Sequence, residues 1–425
     1  MVKSKLTIII LMMILVVSAY ATSTEFVAKA GSSNDDWSMF HHDLTHTGYS
    51  TSTPTATSAI LLWNYTTGLV VWASPAIVGD YVYIPSDDGK VYCLDALTGA
   101  KIWNYSTRAT RRGVIGSSVA VVGGYVYFGC WDRNVYCLSA STGDKVWNFT
   151  TGNTVESSPA VVDGYVYVGS WDGNVYCLDA FTGAKIWNYT AGGMVESSPA
   201  VVDGRVYVGS TNYNVYCLDA LSGAEIWKYT TGNIVQSSPA VVDGRVYIGS
   251  EDNNVYCLNA TTGDKIWNYP TQGWVDSSPA VANGYVYVGS LVIDANQNYI
   301  ASDVYCLDAS TGAKIWNYTT QGGVNSSPAV AGSFVYVCGW DQNVYCLNAS
   351  TGTEIWIYTT QGHVNSSPAV AGGIVYVGSW DHNVYAFGTP KPSQSIPTEI
   401  IFPIAVVVAV VLVVAVVLAL RRRKQ

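Results

Sequence analysis

Short runs of β-branched and aromatic residues recur along the chain, separated by turns of Gly, Asp and Asn. The unit is clearest in residues 157–190, where four such runs read SSPAVV, YVYVGS, VYCLDA and KIWNYT. Two of these runs are apolar at consecutive positions, so each predicted sheet must be covered on both faces. No helical period is present in the unit. The pattern therefore predicts four strands per unit, packed between neighbouring units.

A tryptophan marks the last strand of each unit and gives the number of units. It recurs at 40-residue intervals, apart from two longer steps, at Trp63, Trp103, Trp147, Trp187, Trp227, Trp267, Trp316 and Trp356. A Ser-Pro-Ala start, with Val119 replacing one proline, also recurs eight times. Four-stranded sheets repeated in this number predict an all-β, eight-bladed β-propeller.

The two ends of the repeat region complement each other. The last unit, residues 366–388, supplies three strands and ends at Phe387, whereas a strand of the WNYT type stands alone before the first Ser-Pro-Ala. We expect this strand, Ile60–Thr66, to complete the last blade and close the ring, because closure pairs two otherwise open strand edges. A solenoid of stacked sheets would leave both edges unpaired.

The segments outside the repeats predict export and a membrane anchor. Residues 1–21 combine two lysines, a short apolar run and an Ala-Tyr-Ala cleavage site, which is typical of a signal peptide. Residues 400–420 form an uncharged stretch long enough for one transmembrane helix, and the basic tail 421–425 predicts a cytoplasmic C-terminus. The remaining expected segments are a leading segment (22–59), the propeller (60–388) and a Pro/Ser stalk (389–399).

Composition limits the classes of partner, and the positions of the cysteines predict whether they form disulfides. The 30 acidic residues outnumber the 21 lysines and arginines, which argues against nucleic acid or an anionic membrane surface as ligand. Equivalent positions of successive units hold Cys93, Cys137, Cys177, Cys217, Cys257, Cys306 and Cys346. Because these positions lie on different blades, we expect buried free thiols rather than disulfides. Cys130 and Cys338 have no assigned partner.

One face of the predicted propeller carries most of the sequence variation. The Asp-Gly and Thr-Gly turns of one face are nearly constant, whereas the second-to-third turns and the blade connections of the opposite face vary and hold both insertions, 108–112 and 291–302. We therefore place the working surface on this variable face. Its candidates are Arg108, Arg111, Arg112, Trp131, Trp171, Trp340, Trp380, His363 and His382. The tryptophans either pack locally over their turns or meet a protein or glycan partner.

A second set of candidates surrounds the predicted mouth of the central channel. The position two residues before the serine of each Ser-Pro-Ala start holds Trp72, Gly116, Glu156, Glu196, Gln236, Asp276, Asn325 and Asn365. These acids and amides indicate either a site for a cation or polar ligand, or a solvated rim. Asp294, Asn296 and Asn298 have the spacing of calcium-loop ligands, and an ordinary polar hairpin tip also fits them.

The pattern Asp-x-x-Thr-Gly-x-x-x-Trp at 95–103 recurs with small changes at 179–187, 219–227 and 308–316. It resembles the tryptophan-docking repeat of pyrroloquinoline-quinone (PQQ)-type propellers, and WSMFHHDLTHTG (37–48) is similar to the stretch preceding such propellers. The resemblance implies eight blades with each tryptophan docked on a neighbouring blade. Without the adjacent Cys-Cys pair and long insertions of quinoprotein dehydrogenases, the chain is most similar to the BamB-like, non-enzymatic branch.

Three functions remain open at this stage. The leading hypothesis is a monomeric, non-catalytic scaffold or receptor without a cofactor, tethered to the outer face of the cell membrane and binding a protein or polysaccharide. A membrane-tethered quinoprotein oxidoreductase using Ca²⁺ and PQQ is the alternative, and a purely structural cell-envelope component is the third. The anchor without a lipid-attachment cysteine is typical of an archaeal-type surface protein. Sequons on the WNYT strands predict glycosylation at Asn64, Asn104, Asn148, Asn188 and Asn317.

Overall fold

The computed structural model describes residues 36–52, 58–107, 114–294 and 300–389. Within these ranges no helix is long and apolar enough to cross a membrane. The contacts divide the chain into Met1–Gly388 and Thr389–Gln425. The predicted signal peptide, the stalk beyond Thr389, the predicted span 400–420 and the basic tail lie outside the described residues.

Among the described residues, thirty-three strands form eight sheets, one for each blade. Each blade has four strands that follow one another in the chain, except blade eight, whose outer strand precedes blade one, and the sheet of blade seven has a short fifth strand at its inner edge. Two strands precede the first complete blade, β1 (Tyr49–Ser50) and β2 (Leu61–Thr66). Blades one to four are β3–β6 (Ala76–Val78, Tyr81–Ser86, Lys90–Asp95, Lys101–Ser106), β7–β10 (Ala120–Val122, Tyr125–Gly129, Asn134–Ser139, Lys145–Thr150), β11–β14 (Ala160–Val162, Tyr165–Gly169, Asn174–Asp179, Lys185–Thr190) and β15–β18 (Ala200–Val202, Arg205–Gly209, Asn214–Asp219, Glu225–Thr230).

The remaining blades follow in the same antiparallel order from the inner to the outer strand. They are β19–β22 (Ala240–Val242, Arg245–Ser250, Asn254–Asn259, Lys265–Pro270), β23–β26 (Ala280–Ala282, Tyr285–Gly289, Asp303–Asp308, Lys314–Thr319), β27–β30 (Ala329–Ala331, Phe334–Cys338, Asn343–Asn348, Glu354–Thr359) and β31–β33 (Ala369–Ala371, Ile374–Gly378, Asn383–Phe387). The predicted all-β, eight-bladed propeller is confirmed.

Strand β2 completes blade eight, as the sequence predicts. It pairs antiparallel with β33, with Trp63 opposite Ala386 and Tyr65 opposite Val384. The strand begins at Leu61, and the carbonyl oxygen of Ile60 still accepts a 3.0 Å hydrogen bond from the Gly388 amide. The outer edge of β33 is therefore paired along its length, and the ring is closed by a strand from the opposite end of the repeat region.

The Asp-x-x-Thr-Gly turn of one blade receives the tryptophan of the preceding blade. Asp95 Oδ1 accepts hydrogen bonds from the amides of Leu97 and Thr98, which closes the turn, and Gly99 follows with a φ of 70°. A Cβ at Gly99 would lie 2.6 Å from the ring of Trp63, so glycine leaves the space that the indole occupies. Each indole except that of Trp356 donates to an alanine carbonyl of the next blade, at 2.9–3.2 Å.

Apolar residues of β-strands from neighbouring blades pack together between the sheets. Tyr127 and Cys137 of blade two, for example, pack in one cluster with Val166 and Leu178 of blade three. All nine cysteines are buried and free, which confirms the prediction for the seven at the repeat position and shows that Cys130 and Cys338 are free as well. Their burial raises the pKa of each thiol, Cys137 for instance to about 12, so they act as small apolar residues.

The five predicted glycosylation sites lie on the outermost strands of their blades. Their asparagines are exposed, at Asn64, Asn104, Asn148, Asn188 and Asn317. The Asn148 amide donates to the Asn134 side chain over 3.1 Å, and Thr150 donates to the same oxygen over 2.6 Å. The sequons are thus accessible from solvent, and their glycosylation stays a prediction.

Candidate functional site

Residues 36–50 of the leading segment (22–59) lie inside the central channel. The carbonyl oxygens of Leu44, Thr45, Thr47 and Gly48 accept hydrogen bonds of 2.7–2.8 Å from the inner strands of blades four to seven, and those of Trp37 and Ser38 from blades one and two. Strand β1 adds a parallel edge to β27 of blade seven. The segment therefore winds around the inner strands rather than preceding the propeller as a separate arm.

Polar side chains inside the leading segment hold its conformation. The carboxylate of Asp43 accepts from the amides and the hydroxyls of Thr45 and Thr47, at 2.6–3.2 Å. His41 and His46 are buried, and burial lowers their pKa to about 4 and about 3, so both are neutral at pH 7. Nδ1 of His41 forms a 3.0 Å hydrogen bond with the carbonyl oxygen of His46, and Nδ1 of His46 forms a 3.1 Å hydrogen bond with that of Pro239.

A closed ring of serine hydrogen bonds surrounds the channel next to the leading segment. The amide of each Ser-Pro-Ala serine donates to the hydroxyl oxygen of the equivalent serine in the next blade, over 2.9–3.0 Å. The last bond, from Ser367 to Ser74, closes the ring. The members are Ser74, Ser118, Ser158, Ser198, Ser238, Ser278, Ser327 and Ser367. These serines explain why the Ser-Pro-Ala start recurs in nearly every unit.

The predicted channel-mouth positions line one cavity together with these serines. Its volume is about 220 Å³, and Phe40 of the leading segment also lines it. In the six blades that bond the leading segment, the channel-mouth residue comes first, the serine next, and the bonding residue of the inner strand last, as in Glu196, Ser198 and Val201. The cavity, which we call the cup, therefore opens on the variable face and is closed toward the opposite face by the leading segment.

Carboxyl groups give the cup its electrostatic character. Burial raises the pKa of Glu156 to about 7, and the neighbouring Glu196 adds to the shift, while the Trp131 side chain acts in the opposite direction. Burial and Glu251 raise the pKa of Glu196 to about 7. The pKa of Asp276 also rises to about 7, through burial first and through Glu251 and Glu196 second. These carboxyl groups are therefore only partly ionised at neutral pH, and the ionised carboxylates repel one another.

Three oxygen atoms in and beside the cup are buried and have no hydrogen-bond partner among the residues that the structure describes. They are Oδ1 of Asp276, Oδ1 of Asn365 and Oδ1 of Asp87. Asp276 and Asn365 line the cup directly. Asp87 lies close enough to Glu156 to raise its pKa. Since a buried acceptor without a donor is costly, these atoms mark places where a ligand with donor groups would be stabilised.

Tryptophans stand around the rim of the cup in two groups. The ring of Trp72 lies 4.5 Å from that of Trp380, which in turn lies 5.5 Å from Trp340, and His363 contacts both Trp340 and Trp380. Trp131 and Trp171 form the second group, with centroids 6.4 Å apart. These indoles therefore contact one another, and Trp72 and Trp131 each keep more than a third of their surface exposed.

The remaining predicted candidates lie away from the cup or outside the described residues. His382 sits at a second-to-third turn with a φ of 73°, where its carbonyl oxygen accepts from Thr67. The cluster of Arg108, Arg111 and Arg112 is outside the described residues, as are Asn296 and Asn298. Asp294 lines a separate cavity of about 240 Å³ beside Trp274 and Leu291. Among the described residues no group of three acidic, histidine or cysteine side chains is arranged to hold a metal ion.

Sequence reasoning missed Asp87, Glu251 and Phe40. The first two occupy the repeat position of Trp131 and Trp171, so aligning that position around the ring would have found them. Phe40 carries no repeat signal, because it belongs to the leading segment. Its place in the cup follows from backbone pairing that the amino-acid pattern does not show.

The eight four-stranded blades and the tryptophans docked on the glycine turns define a PQQ-repeat type of eight-bladed β-propeller. A family profile described as outer membrane protein assembly factor BamB matches residues 44–130, 131–233, 211–303 and 300–390. The chain therefore belongs to this BamB-like family of PQQ-repeat propellers. No curated protein matches it in sequence.

Solved structures of both branches of the fold are similar to this chain. BamB from Moraxella catarrhalis superposes with a TM-score of 0.66 at 21% identity, covering 79% of this chain and 99% of its own. A europium-containing methanol dehydrogenase gives 0.74 at 15% identity, covering 84% and 98%. Quinohemoprotein alcohol dehydrogenase from Comamonas testosteroni gives 0.71 at 18%, covering 86% and 82%. Neighbours of both kinds share the fold, and neither decides between a binding protein and an enzyme.

The lining of the cup is a poor match to the quinone of the dehydrogenase branch. PQQ is a tricarboxylate, and its recognition calls for cationic groups or many free amide donors. The described residues that line the cup include Glu156, Glu196 and Asp276 but no lysine, arginine or histidine. The carboxylates of PQQ would therefore be repelled by the ionised carboxylates of the cup at short range.

Proposed function

We propose that the protein is a non-catalytic binding scaffold or receptor that captures its partner with the cup and the tryptophan rim. The observation that carries this proposal is the asymmetry of the channel. One end is open and lined by side chains that differ from blade to blade, whereas the other is filled by the leading segment and framed by near-constant turns. Exposed tryptophan at a concave rim is typical of binding hot spots.

A protein partner is favoured over a polysaccharide. The matching family is described as an assembly factor for outer membrane proteins, a role that rests on contacts with other proteins. The ring supports such contacts because its blades are tied together at the serines, the docked tryptophans and the closing strand. A rigid scaffold loses little conformational entropy when it binds.

The proposed location is the outer face of the cell membrane. The predicted signal peptide at 1–21 and the uncharged stretch at 400–420 with its basic tail support this proposal. Protease treatment of intact cells should release the propeller and leave the C-terminal tail protected. A tail that is digested from outside would contradict the orientation.

Partner capture tests the binding role. Full-length protein and a Trp72→Ala/Trp131→Ala double variant are used as bait, with Phe181→Ala as a matched control. Phe181 is 62% exposed but lies on the constant face. We expect specific capture by the wild type and by Phe181→Ala, and its loss in the rim variant at an unchanged melting temperature. Equal capture by all three proteins would place binding elsewhere.

Reconstitution with PQQ and Ca²⁺ tests the quinoprotein alternative. The acidic cup predicts that no chromophore is retained after gel filtration. A bound quinone absorption together with dye reduction in the presence of an alcohol would establish the oxidoreductase instead.

A further inference from the structure

We propose that the cup binds a primary ammonium group, and that in the partner this group is the end of a lysine side chain. The inference rests on the proposed function, because it names the chemistry by which the scaffold recognises its protein partner. It is carried by the buried unpaired acceptors, the acidic lining, the aromatic walls and the size of the cup.

Hydrogen-bonding capacity favours a ligand that donates several hydrogen bonds. The buried Oδ1 atoms of Asp276 and Asn365 line the cup and have no partner among the described residues. An ammonium group carries three N–H donors and no acceptor, so it can donate to such an oxygen without bringing an acceptor that would itself need a donor. A neutral hydroxyl brings only one donor, and an anion brings none.

The charges around the cup favour a cation. Glu156 has Glu196 and Asp87 as its charged neighbours, Glu196 has Glu251, and Asp276 has Glu251 and Glu196. Every one of these neighbours is acidic. A positive group among them would relieve their mutual repulsion and favour the ionised carboxylates that burial otherwise disfavours.

The size and the walls of the cup favour a side chain rather than a larger ligand. Its volume of about 220 Å³ lies below the roughly 300–1,000 Å³ of pockets for drug-sized ligands. Phe40 and Trp72 provide apolar surface on the same cavity. An aliphatic stem can pack on these rings while the ammonium group reaches the carboxylates, and the ring faces themselves attract cations.

Calorimetric titration of the full-length protein at pH 8 tests the proposal. The probes are n-butylammonium and Nα-acetyl-lysine methylamide, which separate a free amine from a peptide lysine. The comparators are 1-pentanol, which has a similar length without charge, tetramethylammonium, which has charge without N–H donors, and CaCl₂. We expect both primary amines to bind at least about tenfold more tightly than either organic comparator, since each hydrogen bond to a charged group adds about that factor.

Two isosteric variants locate the site. Asp276→Asn and Glu196→Gln should each weaken n-butylammonium binding about tenfold or more. Asp144→Asn, which removes one charge from a turn on the constant face, should leave it unchanged. Melting temperatures are recorded for each variant, so a folding defect in one leaves the other as the test.

The pH dependence gives an independent arm. Because the pKa values of Glu156, Glu196 and Asp276 are raised to about 7, the cup is more negative at pH 8 than at pH 6, and amine binding should strengthen over this interval with release of protons. Equal binding of 1-pentanol, preference for tetramethylammonium or Ca²⁺, or no binding of either amine would overturn the ammonium site. If partner capture by the tryptophan rim persists in that case, the scaffold function stands and only this inference fails.

Discussion

The indole Nε1 of Trp63 donates a 2.9 Å hydrogen bond to the carbonyl oxygen of Ala96 and so joins blade eight to blade one. The equivalent atom of Trp356 is buried and has no hydrogen-bond partner within the part of the chain that the structure describes. Blade eight departs from the repeat here, because Gly388 and Thr389 stand where blade three, for example, has Asp179 and Ala180, and no Thr-Gly follows them. At the perimeter, blade eight therefore has a complete docking contact with blade one, through Trp63, and an incomplete one with blade seven, through Trp356.

This difference predicts unequal effects of the same substitution. Trp63→Phe removes a hydrogen bond and should lower the free energy of unfolding by about 1 kcal/mol more than Trp356→Phe, which removes none. Urea denaturation followed by circular dichroism measures both variants. Equal losses would show that the bond to Ala96 contributes nothing at this blade interface.

Gly183 and Gly204 provide a test of the docking turn. Both have a φ of 71°, but a Cβ at Gly183 would lie 2.6 Å from the ring of Trp147, whereas nothing lies within 4 Å of one at Gly204. Gly204→Ala should cost about 1 kcal/mol from backbone strain alone. Gly183→Ala should cost about 1–3 kcal/mol more, because the indole must move. Thermal melts that rank the two variants equally would contradict this account of the glycine.

Removal of the closing strand should expose the edge of β33. Deleting residues 60–66 leaves blade eight with three strands, and open edges of this kind pair with other chains. We expect oligomers in analytical ultracentrifugation, and recovery of the monomer on addition of a peptide with the sequence of Leu61–Thr66. A deletion variant that stays monomeric and equally stable would refute closure by this strand.

The raised carboxyl pKa values predict that stability falls as the pH rises. The folded state holds protons on Glu196 and Asp276 up to about pH 7, whereas the unfolded chain releases them near its ordinary pKa values. Stability from these groups is therefore present below the unfolded values and is lost between about pH 4.5 and 7.5. Asp276→Asn should flatten this part of the profile by up to about 4 kcal/mol, because folding raises the pKa of Asp276 from 3.8 to about 7. An unchanged profile would mean that Asp276 does not titrate in this interval.

The repeat made most of the architecture predictable. Equivalent positions such as Trp147 and Trp187 share one environment, so a pattern read in one blade holds for the others, and the spare strand before the first blade identifies the closure. The same equivalence placed Glu156, Glu196 and Asp276 at the channel mouth, although their raised pKa values depend on burial that only the structure shows.

Two features of the site were not predictable from the pattern. The leading segment binds through its backbone carbonyl groups, at Leu44 and Thr45 for example, and backbone pairing leaves no side-chain signature. The contact of Trp72 with Trp380 joins the first and the last blade. The two residues are more than 300 positions apart in the chain. Their contact depends on the angle at which the ring closes, and the sequence pattern does not give that angle.

The serine ring gives the channel a rotational symmetry that the chain itself lacks. The bond from Ser367 to Ser74 measures 3.0 Å and cannot be told apart from the bonds between consecutive blades. Around the axis the first and the last blade are consequently joined like any other two blades. The break in the chain within blade eight affects only the contacts at the perimeter. A circularly permuted chain whose termini lie at the Asp-x-x-Thr-Gly turn of another blade, with such a turn joining Phe387 to Leu61, should keep all eight serine bonds and move the incomplete tryptophan contact to that blade.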